Sequence, residues 1–214
     1  MFHAQKAILM NIRLAVSRVS AYFSLVVFAM QITLVIASWI VAAVCPGLPV
    51  RPILGSEGLR WLFGTFVSNV STAVPVWLLL VGMAVGTLCR SRLVEAVWGY
   101  RHTNGYERMA LLIVAWEVAG VATVVALLAF VPHAVLLSAI GTLLPSSFSA
   151  SIVPIAAMSV WAVSLTYGCI VGVFRSVENI FESMCSGVGL VTPLLIAYIV
   201  AAEFYKSLVW TLLL

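Results

Sequence analysis

Long runs of apolar residues follow one another along the chain, and the polar and charged residues are concentrated in the segments between them. Within each run the apolar residues are continuous, without the alternation of a β-barrel strand, so the pattern predicts helices. A helix needs about 20 residues to cross the hydrocarbon core of a bilayer. The pattern predicts five membrane spans, at about residues 21–44, 75–89, 109–131, 152–173 and 187–202.

Three segments between or before these spans have an amphipathic pattern instead. Residues 1–20 place aliphatic side chains near one face and spread Lys6, Arg13 and Arg18 along the rest. Such a helix lies flat on a membrane surface, and we predict that it lies on the cytoplasmic one. Residues 56–70 and 174–186 are predicted to be interfacial for the same reason.

The segment 56–89 departs from the pattern of an ordinary span. Its first part repeats apolar residues at helical spacing, but it has only 15 residues and carries Glu57 and Arg60 at its start. Its second part, 75–89, is also short, and a run rich in Ser, Asn and Thr (68–72) separates the two. Because a polar run of this kind interrupts a helix, we predict a broken or hairpin-like element.

Composition determines the class of protein. The chain of 214 residues is 64% hydrophobic and 8% charged, with a mean hydropathy of +1.18. A soluble domain carries about a quarter charged residues, so this chain cannot cover a globule with polar groups. In lipid the backbone must bond to itself, which helices achieve. We predict an all-α integral membrane protein that forms a single membrane domain over residues 1–214, with the lipid bilayer as its surroundings.

The distribution of basic residues predicts an orientation. With the N-terminus inside the cell, eight of the 11 Lys and Arg residues fall on the cytoplasmic side. Short cytoplasmic loops carry this excess, so we predict a multi-pass protein of the inner membrane with a cytoplasmic N-terminus. The net charge of +4 is dispersed over these loops, which argues against nucleic acid as a partner.

Glu117 is the one carboxylate placed well within a predicted span. It lies eight residues after the start of the third span, about 12 Å deep along a helix in a core about 30 Å thick. A charge at that depth costs about 3 kcal/mol. Glu117 is therefore either part of a proton or cation relay, or a neutral side chain bonded to a neighbouring helix or to another subunit.

Ser68 and Asn69 are the other candidates for a transport path. Discontinuous helices in transporters expose polar groups at such breaks, although an ordinary turn has the same composition. The sequence contains no Asp, no Ser/His/acid arrangement, no Gly-rich phosphate loop and no metal-ligand spacing. We predict no enzyme activity, no cofactor and no metal site.

Two stretches resemble a known family of secondary transporters. The first contains Ser56–Trp61, Asn69, Pro75, the glycine-containing run 80–86 and Ser91–Leu93. The second contains Ser151–Pro154, Tyr167, Gly168, Gly172, Arg175, Ser176, Met184, Gly187 and Ala201–Phe204. Together they cover about half of the chain and resemble the p-aminobenzoyl-glutamate transporter (AbgT) family. The resemblance implies a truncated or divergent member that moves a small anionic solute coupled to an ion gradient.

The chain also departs from that family. Between the loop 90–108 and the third span it lacks the section that carries the family's substrate-site elements, and it stops before a later hairpin of the family. No substrate-site residue is therefore carried across from the resemblance. Two functions remain open: a transport protein, acting alone or as an oligomer, and a non-transporting scaffold or assembly subunit that binds another membrane protein.

Overall fold

A computed structural model describes residues 2–99, 104–130 and 147–212 of the chain. Within these ranges the structure contains helices and no strand. The described helices are α1 (Phe2–Val44), α2 (Ser56–Val70), α3 (Ala73–Ser91), α4 (Leu93–Trp98), α5 (Gly105–Phe130), α6 (Ser147–Ile170) and α7 (Val177–Leu212).

Five of these helices (α1, α3, α5, α6 and α7) are long and apolar enough to cross a membrane. Large apolar side chains are exposed along them, for example Trp116, of which 79% is accessible. Such a surface is stable in lipid and unstable in water, because water would have to hydrate it. The chain is an all-α, multi-pass membrane protein, so the predicted fold class is confirmed.

Two helices are longer than the predicted spans within them. Helix α1 runs without interruption through the boundary predicted near residue 20, because no Gly or Pro interrupts its 43 residues. Helix α7 contains residues 177–186 of the predicted interfacial segment 174–186, together with the predicted span 187–202, and it then continues ten residues further, to Leu212. Of the third predicted span, the last residue, Val131, lies outside the described residues.

The predicted break in the segment 56–89 is present at two residues. Helix α2 ends at Val70 and α3 begins at Ala73. The hydroxyl of Thr72 accepts a hydrogen bond of 3.3 Å from the amide of Val74 and so caps the new helix. Pro75 follows within the first turn of α3. Proline fits there because the N–H groups of the first turn have no acceptor within the helix, so the absence of one costs no hydrogen bond.

The chain divides into two compact units. Unit one consists of residues 1–76 and 192–214, and unit two of residues 77–191. Unit one thus holds α1, α2 and the C-terminal part of α7. In unit two, α4, α5 and α6 enclose a small apolar core made of Leu93, Ala96, Ala110, Val114, Val163 and Tyr167.

Within unit two, three glycines bring the backbones of α3 and α7 into direct contact. Gly82 and Gly86 lie one turn apart on α3, and both face Gly187 of α7. A methyl group at Gly187 would lie 2.6 Å from the Gly86 Cα, which is closer than atoms can approach. This is the small-residue packing that lets helices associate closely in lipid.

Glycines also shape the turn between α6 and α7. Gly172 has φ +76°, a conformation that other residues adopt at a cost. The amides of Val173 and Phe174 both donate to the Gly168 carbonyl, at 2.8 and 3.0 Å. The ring of Phe174 is buried and packs against Gly168, where a Cβ has no room. The turn therefore depends on both glycines.

Candidate functional site

A buried pair of polar side chains in unit one is the strongest candidate for a site. Helix α2 carries Asn69 at its last turn, and α7 carries Glu203 on an inward face. The Asn69 Nδ2 donates to Glu203 Oε2 at 3.4 Å, and each residue is only 8% exposed. The other carboxyl oxygen, Oε1, is buried and makes no hydrogen bond within the described residues.

The hydrogen bonds of Asn69 fix its side chain at the end of α2. Its Nδ2 also lies 3.3 Å from the Thr65 hydroxyl oxygen, one turn earlier on the same helix. The Thr65 hydroxyl in turn donates to the Trp61 carbonyl at 2.7 Å. Because both bonds lie on α2, the amide is directed at Glu203 by the helix that carries it. Close by, the hydroxyls of Thr72 and Tyr198 are also bonded to one another.

An aromatic cluster in the same unit indicates how deep this pair lies. The rings of Trp61 and Trp210 stack with their centroids 5.2 Å apart, and the Arg51 guanidinium lies 5.8 Å from the Trp210 ring centroid. Tryptophan and arginine of this kind are typical of the membrane–water interface. Glu203 precedes Trp210 by seven residues, about 10 Å along α7. A Trp210 ring at the membrane–water interface would therefore place the carboxyl group inside the hydrocarbon layer.

The three residues predicted from the sequence occupy different environments. Asn69 takes part in the buried pair, whereas the hydroxyl of its neighbour Ser68 is exposed and donates to the Thr65 carbonyl at 2.7 Å. Glu117 lies on α5 in unit two, partly buried, and its Oε2 makes no hydrogen bond within the described residues. The structure thus unites Asn69 with a carboxylate that the sequence did not single out.

Sequence reasoning missed Glu203 because the last span was predicted to end at residue 202. The polar pattern of α7 contains a signal that identifies it. Glu203, Ser207 and Thr211 recur at every fourth position and therefore share one face of a helix. All three are buried in the structure.

A second polar site lies in unit two, where α3 gives way to α4. A cavity of about 170 Å³ is lined by Arg92, Glu95, Glu107 and Tyr167, among others. Arg92 has φ 63°, and its Nε lies 3.1 Å from Glu95 Oε2. The Glu107 carboxylate accepts the Asn104 amide at 3.2 Å and caps α5. The charged side chains that line this cavity thus already have partners. The cavity has room for a small polar molecule, but its lining does not specify which one.

Within the described parts of the chain, no three His, Cys, Asp or Glu side chains are grouped as metal ligands would be. The four cysteines (Cys45, Cys89, Cys169 and Cys185) are free thiols. No family model, curated protein or solved structure matches the chain. A function is therefore inferred from the residues and their geometry.

Proposed function

We propose that the chain is a transport protein of the inner membrane that moves a small anionic solute, coupled to an ion gradient, as its resemblance to the AbgT family implies. The observation that carries the proposal is the buried Asn69–Glu203 pair at the end of a broken helix. Glu203 is the residue that we assign to the coupling step. Asn69 is its positioning partner.

The chemistry of the pair suits the binding and release of a proton. A carboxylate inside the hydrocarbon layer costs about 3 kcal/mol, so intramembrane carboxyl groups mark functional sites by default. The amide of Asn69 is neutral and cannot compensate the charge, but it can donate to Glu203 in either protonation state. No charged side chain bonds to Glu203 within the described residues. The carboxyl group is therefore free to change its charge during a transport cycle.

The break between α2 and α3 also supports a role in transport. In transporters, discontinuous helices place polar groups at the middle of the membrane, where the substrate and coupling ions bind. Asn69 lies two residues before the break at Ser71–Thr72. A change in the protonation of Glu203 would alter the hydrogen bond that holds this end of α2, and the break would let α2 respond independently of α3.

Uptake in liposomes tests the proposal. Purified protein would be reconstituted, and uptake of p-aminobenzoyl-glutamate would be measured with and without an imposed proton gradient. We expect gradient-dependent uptake in the parent protein and at least a tenfold loss in Glu203→Gln, which preserves size but cannot ionise. Glu182→Gln is the matched control, because it makes the same chemical change at a side chain that is 67% exposed and outside the pair. Gradient-dependent uptake by Glu203→Gln at the parent rate would refute the assignment.

The rival function is that of a membrane scaffold without transport activity. It is favoured by the missing section between the loop 90–108 and the third span, which in the AbgT family carries substrate-site elements. The same preparation distinguishes the two. A preparation that takes up no tested solute, but retains another membrane protein through purification, would support the scaffold.

A further inference from the structure

Two helices of unit one face each other through rows of polar residues. On α1, Ser24, Gln31 and Ser38 recur at seven-residue intervals, which keeps them on one face. On α7 the row consists of Glu203, Ser207 and Thr211. The Gln31 Nε2 donates to the Ser207 hydroxyl oxygen at 2.9 Å, so the two rows meet. We call these six residues the polar seam.

Several polar atoms of the seam are buried without a partner. They are Ser24 Oγ, Gln31 Oε1, Glu203 Oε1 and Thr211 Oγ1, none of which bonds to another atom within the described residues. Buried polar groups in proteins are almost always satisfied, by protein or by ordered water. Hydrocarbon offers no hydrogen bond, and the four atoms are carried by the two facing rows. Water molecules in the seam would satisfy them, since each water bonds two to four polar partners.

One end of the seam is connected to an exposed segment. The Thr211 carbonyl accepts the Arg51 amide at 3.1 Å, and the Ser38 hydroxyl oxygen accepts the Ile53 amide at 3.3 Å. Arg51 itself is exposed, and its guanidinium lies 5.8 Å from the Trp210 ring centroid. From Glu203 to Thr211 the seam extends about 12 Å along α7. It therefore extends from the buried carboxyl group toward residues 51–53, of which Arg51 is exposed and Ile53 is fully buried.

Helices α1 and α7 run in the same direction, since Ser38 and Thr211 both meet residues 51–53. Ser24 therefore lies beyond Glu203, on the side away from residues 45–55. On that side the inward positions of α7 itself are apolar. In the preceding two turns of the helix the inward positions are occupied by Ala197, which is buried, and Val200, which is partly buried. Neither offers a hydrogen bond to water. Glu203 is also the only charged residue of the seam, and the group that faces it from α2 is the neutral Asn69.

We infer that the polar seam is a hydrated path through which Glu203 exchanges protons with the aqueous phase on the side of residues 45–55. Hydroxyl groups, the Gln31 amide and water all donate or accept hydrogen bonds, so a proton can be passed from one to the next along the seam. The inference rests on the proposed function only in assigning this proton to the coupling of transport. The hydration itself is independent of transport.

Thiol accessibility tests the seam directly. The four native cysteines would first be replaced by alanine, and single cysteines would then be introduced as Gln31→Cys and Ser207→Cys. The matched controls are Ile32→Cys and Tyr205→Cys, at neighbouring positions whose side chains are 47% and 60% exposed on the lipid side. Thiols react with a charged, membrane-impermeant methanethiosulfonate only where water ionises them. We expect the seam cysteines to react at least tenfold faster than their controls.

The side from which the reagent arrives tests the direction of the path. A protein that retains only Cys45, which is exposed at the end of α1, marks the membrane side of residues 45–55. The seam cysteines should react from the same side as Cys45. Reaction at the rate of the controls would overturn the hydrated seam, and reaction only from the opposite side would overturn its direction.

The two proposals fail separately. If the seam cysteines react as expected but Glu203→Gln transports like the parent, the coupling role of Glu203 is wrong and the hydrated seam stands. If Glu203→Gln loses uptake while the seam cysteines remain unreactive, the coupling role stands and Glu203 receives its proton by another route. Unreactive cysteines in a variant that elutes as folded protein on size-exclusion chromatography count against the seam.

Discussion

Asn69 and Glu203 are 134 positions apart in the sequence, yet the Asn69 amide donates a 3.4 Å hydrogen bond to the Glu203 carboxylate in the interior of unit one. The bond joins the last turn of the 15-residue helix α2 to the C-terminal third of the 36-residue helix α7. It is long for a hydrogen bond to a carboxylate, for which 2.7–2.9 Å is usual. The pair is thus held by the packing of α2 and α7 more than by its own strength.

Removing the amide should destabilise the protein. Asn69→Leu leaves both oxygens of Glu203 buried and without a partner, and we expect a loss of about 1–3 kcal/mol in the free energy of unfolding. Unfolding in mixed detergent micelles measures it. Ser68→Ala should change stability by less than about 0.5 kcal/mol, since its side chain is exposed. A change in Asn69→Leu no larger than that of Ser68→Ala would show that Glu203 finds another partner.

The glycine contact between α3 and α7 predicts a sharp contrast between two similar substitutions. Gly187→Ala introduces a methyl group into the backbone of α3, so we expect a loss of about 3 kcal/mol or more, or failure to fold. Gly189→Ala, two residues further along the same helix, meets open space. It should raise stability by about 0.5–1 kcal/mol, because alanine loses less backbone freedom than glycine. Equal melting temperatures for the two variants would contradict the close crossing.

The turn at Gly172 predicts a dependence on backbone conformation. Gly172→Ala must adopt φ +76°, which costs about 1–2 kcal/mol for an ordinary residue. Gly172→Asn should lose less, because asparagine tolerates the left-handed region better. No atom lies within 4 Å of a Cβ at this position, so packing does not complicate the comparison. Thermal unfolding should rank the proteins as parent, Asn variant and Ala variant, in falling order.

The ion pair between Arg90 and Glu182 is expected to contribute little. Its atoms lie 3.1 Å apart, but the side chains are 42% and 67% exposed, so solvent screens the attraction. A double-mutant cycle with Arg90→Ala and Glu182→Ala should give a coupling energy of about 0.2–1 kcal/mol. Raising the salt concentration to 1 M should reduce it further. A coupling above about 2 kcal/mol would mean that the pair is less accessible than the structure shows.

The proposed orientation can be tested with a native thiol. Cys45 is exposed just after the end of α1, and a cytoplasmic N-terminus would place it at the outer face of the inner membrane. A membrane-impermeant maleimide that reaches the outer face of the inner membrane should therefore label it in intact spheroplasts, and Cys45→Ser should remove that labelling. Labelling of Cys45 only after the membrane is opened would reverse the orientation.

Spans and breaks could be predicted from the sequence because each depends on local pattern. The apolar runs are long enough to identify α1, α3, α5, α6 and α7, and the run Ser68–Thr72 identified the break before Ala73. The end of α7 was missed because Glu203 and Lys206 interrupt the apolar run. The helix continues through both residues because their side chains have different surroundings: Glu203 is buried, and Lys206 is exposed.

The candidate site could be only half predicted, for a physical reason. Asn69 was found because polar residues at a helix break are visible in the sequence. Its pairing with Glu203 depends on how α2 and α7 pack, and no spacing along the chain encodes a contact over 134 positions. Glu117 was singled out by its depth alone, and within the described residues its Oε2 has no partner.

The three glycines at the crossing of α3 and α7 have a thermal consequence. Glycine has no side-chain rotamers, so these three positions lose no side-chain entropy when the helices come together. In lipid, moreover, their contact depends on close fit and not on the exclusion of water. An attachment of this kind should weaken little on cooling or when the acyl chains of the bilayer are exchanged, and it would act as a fixed pivot while softer contacts elsewhere in the protein rearrange.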